Sequence, residues 1–315
     1  MRAIEFSEYG PPSVLRVAEV EEPQAGPGEI RIAVRASGIS PGETYVRSGR
    51  LRELVPVTLP YRTGFDAAGV VDQVGAGVTG VRVGDEVFGM TSTTGRAANA
   101  DFAVLTGWAL KPSTWSWEEA GGAAGSVETA TRVLDRLGVK DGQTVLVQGA
   151  AGAVGTVAIQ LAVARGARVI GTASERNHAF LRSLGAEPTT YGEGLVERVK
   201  ELAPDGVDAA FDCAGGSLLD LIAIVGAPGR VVTIADFDAA AHGVHMSHSA
   251  PAEETGASIG AADSLAIHGL EIAVTLAAEG KLRVPIAAAF PLEDAAAAHE
   301  LSETRHARGK IILLH

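Results

Sequence analysis

Val145-Leu-Val-Gln-Gly-Ala-Ala-Gly-Ala-Val-Gly155 is the stretch that decides the fold. Its opening belongs to a short apolar run, Thr144–Gln148, suited to a buried strand. Gly149, Gly152 and Gly155 follow three apart, and a helical pattern runs from Gly155 to Arg165. A pyrophosphate binds where backbone can approach it without an intervening Cβ and where N–H groups point outward at a helix N-terminus. Strand, glycine turn and helix in that order meet the requirement, which makes the turn a dinucleotide-binding candidate. The spacing is G-x-x-G-x-x-G, and the competing reading is a turn whose glycines only pack helix against strand.

Downstream, strand and helix alternate. Ala167–Thr172 reads as a second strand and Asn177–Leu184 as a second helix ending at Gly185. Strand-like segments recur at Val207–Asp212 and Arg230–Ala235. Such β-α-β alternation predicts a doubly wound parallel sheet with helices on both faces, an α/β architecture. Upstream, Ser116–Leu137 reads as two helical pieces. Before that the pattern is β-rich, with Glu29–Arg35 alternating and Ala68–Val74, Gly84–Gly89 and Asp101–Leu105 as short strands between turns. A twisted, barrel-like domain is expected there. At the other end, a helix over Ala262–Glu279, a segment Lys281–Phe290, a helix over Pro291–Glu303 and a strand Lys310–Leu314 do not extend the nucleotide-binding pattern. They are expected to return to the first domain, giving divisions at 1–114, 115–258 and 259–315.

The chain has 315 residues, 46% hydrophobic and 20% charged, which is enough for two domains with large cores. A formal net charge of −12 argues against nucleic acid or an anionic membrane as the main partner. Cys213 is the single cysteine, so neither an intrachain disulfide nor a cysteine-rich zinc module can form. Met1–Gly10 lacks the apolar core of a signal peptide. Gly142–Ala164 carries no charge, yet its glycines, amides and two periodicities fit a buried strand and helix better than a membrane span. A cytoplasmic location is expected.

The end of the second strand bears on coenzyme choice. An acidic residue ~20 residues past the glycines would bind a ribose 2′-hydroxyl and repel a 2′-phosphate. Ala173 stands there, with Ser174 and Arg176 close behind. A hydroxyl and a guanidinium suit a phosphate monoester, so NADPH is the expected cofactor. Glu175 between them either faces solvent or binds a ribose.

The chain resembles the medium-chain dehydrogenase/reductases, and within them the zinc-free quinone oxidoreductase, zeta-crystallin-like group. The marks are Ala36–Gly49, Gly64–Val71, Val83–Gly89, Gln148–Gly155 and Arg308–Leu313, in order along the whole chain. The resemblance implies a GroES-like catalytic domain built from both chain ends, with a Rossmann domain inserted between them. It also implies cofactor contacts from Thr129, Gly149, Gly152, Ala153, Val154, Gly155, Ser174, Arg176, Tyr191, Cys213, Ala214 and Ile234. Arg308 is either a further cofactor contact or part of a surface ion pair. Cys213 reads as a small buried residue or a redox thiol. In the zinc enzymes of the superfamily a cysteine and a histidine ligand would fall at Ser40 and Phe65, neither a usual zinc ligand, and no metal is expected. His242-Gly-Val-His-Met-Ser-His248 offers three imidazoles, but Gly243 and Val244 disfavour a helix and no carboxylate lies within the run, so a solvated loop near a subunit edge is expected there.

The chemistry implied is hydride transfer to an electron-poor acceptor, a quinone or an enone, with the protein orienting cofactor and acceptor. Ser40, Tyr45 and Phe65 are expected to line the acceptor pocket, and Tyr45 is the candidate proton donor, its alternative being a packed aromatic. An enoyl-thioester reductase is the rival enzyme, favoured by Arg47, Arg50 and Arg52, which are expected near the cleft entrance. A non-catalytic NADPH-binding protein is the rival from another class. A homodimer is expected through the Rossmann sheet edge, near Val231–His248.

Overall fold

The computed structural model describes residues 1–92, 97–249 and 261–315. These form two compact units, Met1–Glu128 with Ile267–His315, and Thr129–Ser249 with 261–266. The division falls inside a helix, whereas the sequence pattern changes near Trp115; the expected limit at 258 lies outside the described residues.

The first unit opens with β1 (Arg2–Phe6), β2 (Arg16–Glu19), β3 (Ile30–Ile39), α1 (Pro41–Arg47), β4 (Tyr61–Arg62) and β5 (Asp66–Val74). It continues with β6 (Glu86–Met90), β7 (Phe102–Leu105), β8 (Gly107–Leu110) and α2 (Trp117–Gly121), and α3 (Ala123–Arg136) crosses into the second unit. Period-2 alternation explains β3: Ile30, Ile32 and Val34 point into a core with Val71, Val87 and Leu105. Between them, Arg31 is held by Asp72 of the neighbouring β5 at 2.8 Å and 3.0 Å. Each fully buried aliphatic side chain here is worth ~1.5–3 kcal/mol.

The second unit contains β9 (Thr144–Gln148), α4 (Ala153–Ala164), β10 (Arg168–Thr172), α5 (His178–Ser183) and β11 (Ala186–Thr189). After these come α6 (Leu195–Leu202), β12 (Ala209–Asp212), α7 (Leu218–Val225), β13 (Val231–Thr233) and β14 (His245–Met246). Among the described residues the strands form one sheet in the order β11-β10-β9-β12-β13-β14, all parallel. Strands buried on both faces read as apolar runs, and Leu146, Ile170, Ala210 and Val231 pack with Val199 and Leu221 of the covering helices. The order turns back between β9 and β12, which opens a crevice at the carboxyl ends of the central strands.

The chain then returns to the first unit with α8 (His268–Ala278), β15 (Ile286–Pro291), α9 (Ala295–Glu303) and β16 (Lys310–Leu314). β16 pairs antiparallel with β3, and the larger sheet runs β15-β16-β3-β5-β6-β8, with β7 on β3.

Three local expectations are corrected. The helix expected from Ala262 begins only at His268, because Asp263 accepts hydrogen bonds from Ser247 (2.6 Å), His245 (2.9 Å) and Arg136 (3.1 Å) and holds the preceding segment outside a helix. The histidine run is not a solvated loop: His245 and Met246 are sheet strand, and Gly243 turns into it at φ +69°. Arg47 is not at a cleft entrance but fully buried, bonded to Glu303 and to the Gly10 carbonyl. No helix among the described residues is long and apolar enough to cross a membrane.

Candidate functional site

In the second unit the glycine turn joins β9 to α4. Gly149 sits at φ +73°, a conformation that costs a residue with a Cβ. Gly155 has ordinary dihedrals, but a Cβ there would lie 2.6 Å from the Gly149 carbonyl and 2.8 Å from the Ala150 Cα. The turn is thus as tight as backbone allows. Gly152 caps α4 without a side-chain bond, so the N–H groups of Ala153, Val154 and Gly155 open the helix with no intrahelical partner. Free donors, a partial positive helix end and a Cβ-free surface together fit the pyrophosphate of a dinucleotide.

A second feature surrounds the turn. Five parallel strands each end on a buried polar residue: Gln148, Thr172, Thr189, Asp212 and Thr233. Thr172 donates its hydroxyl to Gln148 at 2.5 Å and accepts the Gly149 N–H at 3.1 Å, while the Gln148 amide reaches Ser217 at 3.2 Å. Asp212 accepts the Ala214 and Gly215 N–H groups at 3.0 Å and 2.9 Å on one oxygen and the Thr233 hydroxyl at 2.7 Å on the other. Thr233 in turn accepts the N–H groups of Ala235 and Asp236, both at 3.1 Å. These side chains shape the loops at the crevice. The sequence reading did not assign them roles; the available signal was a polar residue closing each apolar strand.

The structure brings Gly149, Gly152, Ala153, Val154 and Gly155 into the turn, and sets Ala214 against Gly149, where a Cβ on the glycine would lie 2.9 Å from the alanine methyl. Ile234 follows β13 on the same edge. Ser174 and the exposed Arg176 and Glu175 follow β10, with Asn177 donating to Ser174 at 3.3 Å. Tyr191 is 56% exposed on the turn after β11, a turn organised by Arg198 donating to the carbonyls of Thr190 (3.0 Å) and Glu193 (2.7 Å). Thr129 accepts from Arg132 at 3.4 Å. Burial beside the Asp212 carboxylate pushes the Cys213 thiol well above its ordinary range, which disfavours a thiolate. Arg308 lies on an exposed turn of the other unit, ahead of β16.

In the first unit, Ser40 caps α1 and its N–H reaches Glu43 at 2.8 Å; the other Glu43 oxygen accepts the Gly64 N–H at 2.5 Å. The buried carboxylate therefore ties Ser40 to the segment carrying Phe65. Beside Phe65, Asp66 is buried with Lys310 at 3.1 Å and accepts the Gly125 N–H at 3.0 Å. Tyr45 lies half-buried, its hydroxyl accepting from Arg305 at 2.8 Å. That bond uses an oxygen lone pair and not the O–H. Among the described residues no group of three or more His, Cys, Asp or Glu is placed to hold a metal ion.

Comparison with known proteins places the chain in a family. Residues 26–194 match the alcohol dehydrogenase GroES-like domain, and residues 184–313 match the zinc-binding dehydrogenase domain. A quinone oxidoreductase of Rattus norvegicus is 32% identical over 327 residues, covering 100% of this chain and 98% of that one. The Escherichia coli quinone oxidoreductase solved with NADPH superposes with a TM-score of 0.82 at 26% identity over 100% of both chains. A structure described as an NAD-dependent alcohol dehydrogenase gives 0.81 at 29% identity, again over 100% of both. With its GroES-like unit, its parallel sheet and its glycine turn, the chain belongs to the quinone oxidoreductase group of the medium-chain dehydrogenase/reductase superfamily and is an NAD(P)H-type oxidoreductase acting on a small molecule.

Proposed function

We propose that the chain transfers a hydride from NADPH to a quinone or another activated carbonyl acceptor, without zinc. The observation that carries this reading is the Gly149–Gly155 turn, whose close backbone and uncapped helix end suit a pyrophosphate. Ala214, Ile234, Cys213, Thr129 and Tyr191 are read as lining the rest of the coenzyme site, and Arg308 as a further contact. NADPH is favoured over NADH by Ser174 and the exposed Arg176 after β10, and by the NADPH complex of the E. coli relative. Zinc independence is supported by the chemistry at Ser40 and Phe65, which lack the imidazole, thiolate or carboxylate that zinc requires.

When bound, the reduced nicotinamide supplies the hydride. The turn and Arg176 anchor the phosphates. Tyr45 donates a hydrogen bond to the acceptor oxygen, with Arg305 fixing the phenol's position. Ser40 and Phe65 shape the pocket wall, held in register through Glu43. Strand β14, at the edge of the sheet among the described residues, is read as the contact of a homodimer, which light scattering tests directly.

The test is acceptor-dependent oxidation of NADPH by 9,10-phenanthrenequinone and by crotonyl-CoA. Turnover with the quinone supports the proposal. Turnover with the thioester alone transfers the assignment to an enoyl reductase, and coenzyme binding without turnover leaves a binding protein.

A further inference from the structure

Between α1 and α9, within the first unit, lies a cavity of about 240 Å³. Tyr45 and Ser48 line it on one side and Ser302, Glu303 and Arg305 on the other, with Arg50 at the turn after α1. Its volume is below the ~300 Å³ at which whole-ligand pockets begin, so it suits one substituent of a larger molecule.

Its charge is one-sided. The Arg50 guanidinium carbon stands 4.6 Å from the centre of the Tyr45 ring, and that of Arg305 stands 5.9 Å from it while donating to the phenol oxygen. The ring orients both cations without neutralising either. Among the described residues Glu303 is the one carboxylate in the wall, and it is engaged by the buried Arg47. Among the described residues neither Arg50 nor Arg305 has a carboxylate partner. Both guanidiniums are exposed at the cavity's rim, so each keeps its donors available to an incoming anion.

The backbone gives a second, independent sign. Arg305 has φ +56°, and among the described residues it is the one non-glycine in the left-handed region. Position and conformation are those of a helix terminator, where glycine is the unstrained residue. An arginine there accepts on the order of 1 kcal/mol of strain and gains a guanidinium aimed at Tyr45.

We propose that this cavity binds an anionic substituent of the acceptor, a carboxylate, sulfonate or phosphate, through Arg50 and Arg305. Planar guanidinium forks match the paired oxygens of such groups. The proposal rests on the reading of Tyr45 as lining the acceptor pocket, and it makes the preferred substrate a negatively charged quinone or enone.

Two measurements test it, on wild type, Arg50→Gln and Arg305→Gly. Arg305→Gly removes the guanidinium and the strained φ together, so the variant should fold at least as well as wild type. The first is calorimetric binding of naphthalene-1-sulfonate, which cannot be reduced. Its affinity is expected to fall at least tenfold in each variant. The second is the ratio of kcat/KM for 1,2-naphthoquinone-4-sulfonate to that for 1,2-naphthoquinone, expected to fall at least tenfold, with Arg305→Lys recovering part of it. Unchanged sulfonate binding overturns the proposal. So does a loss of NADPH affinity matching the loss for sulfonate, since the cavity would then serve the coenzyme's phosphates. If wild type binds the sulfonate through these arginines but reduces neither quinone, the anion site stands and the acceptor assignment fails.

Discussion

Gly155 carries more of the coenzyme site than its lack of a side chain suggests. Its absent Cβ would press on the Gly149 carbonyl and the Ala150 backbone, neither of which can rotate away. Gly155→Ala is therefore expected to destabilise the second unit by ~1–3 kcal/mol and to abolish detectable NADPH binding, as fluorescence titration would register. Retained affinity would place the pyrophosphate elsewhere. Asp212 holds two loops with three hydrogen bonds. Asp212→Asn turns an acceptor toward the Thr233 hydroxyl into a donor and is expected to cost ~1–3 kcal/mol, with a parallel loss of coenzyme affinity measured on the still-folded variant. The glycines were legible because close approach leaves one residue type possible. Asp212, Thr172 and Thr233 were not, because a polar residue after an apolar run reads equally well as the start of a loop.

At the level of elements, the regular ones were readable and the short ones were not. β9 and β16 lie where the sequence puts them, since Thr144–Gln148 and Lys310–Leu314 are apolar runs bounded by turn residues. α1 was hidden, because Pro41 and Gly42 at its start are residue types common in turns. The decisive signal was the Ser40-x-x-Glu43 capping box, in which Pro41 occupies the first helical position where its missing N–H costs nothing. Glu43→Gln would set an amide N–H₂ against one of two backbone donors, Ser40 or Gly64. A loss of ~1–3 kcal/mol is expected, and chemical denaturation followed by tryptophan fluorescence should report it. A variant as stable as wild type would mean that the bridge between α1 and the Phe65 segment is dispensable.

Over the whole molecule, pH dependence is set in part by two imidazoles, that of the buried His299 and that of the half-buried His315. Burial, reinforced by Arg47, drives the His299 pKa from 6.5 to about 3, and burial drives that of His315 to about 4. Both folded values lie below the unfolded one, so between pH 6.5 and these values the unfolded chain binds protons that the folded chain refuses. Stability is present in full above pH 6.5 and is lost as pH falls. For His299, which is fully buried, the loss at the acid end is on the order of 5 kcal/mol. Carboxylates titrate mostly below pH 5, so the slope between pH 6.5 and 5 belongs to histidine. His299→Leu is expected to flatten that slope in urea titrations, and an unchanged slope would show His299 protonated in the fold. At this scale the two-part plan was legible from β-α-β alternation and from a C-terminus that did not extend it. Strand β14 was not, because a two-residue strand among histidines carries no periodicity.

The most direct test of the coenzyme site is a titration, NADPH against NADH, on wild type and Arg176→Ala. Wild type is expected to prefer NADPH at least tenfold, about 1.4 kcal/mol, and the variant to lose the preference while still binding NADH. Equal binding of both coenzymes by wild type, or binding of neither, would contradict this reading of the site.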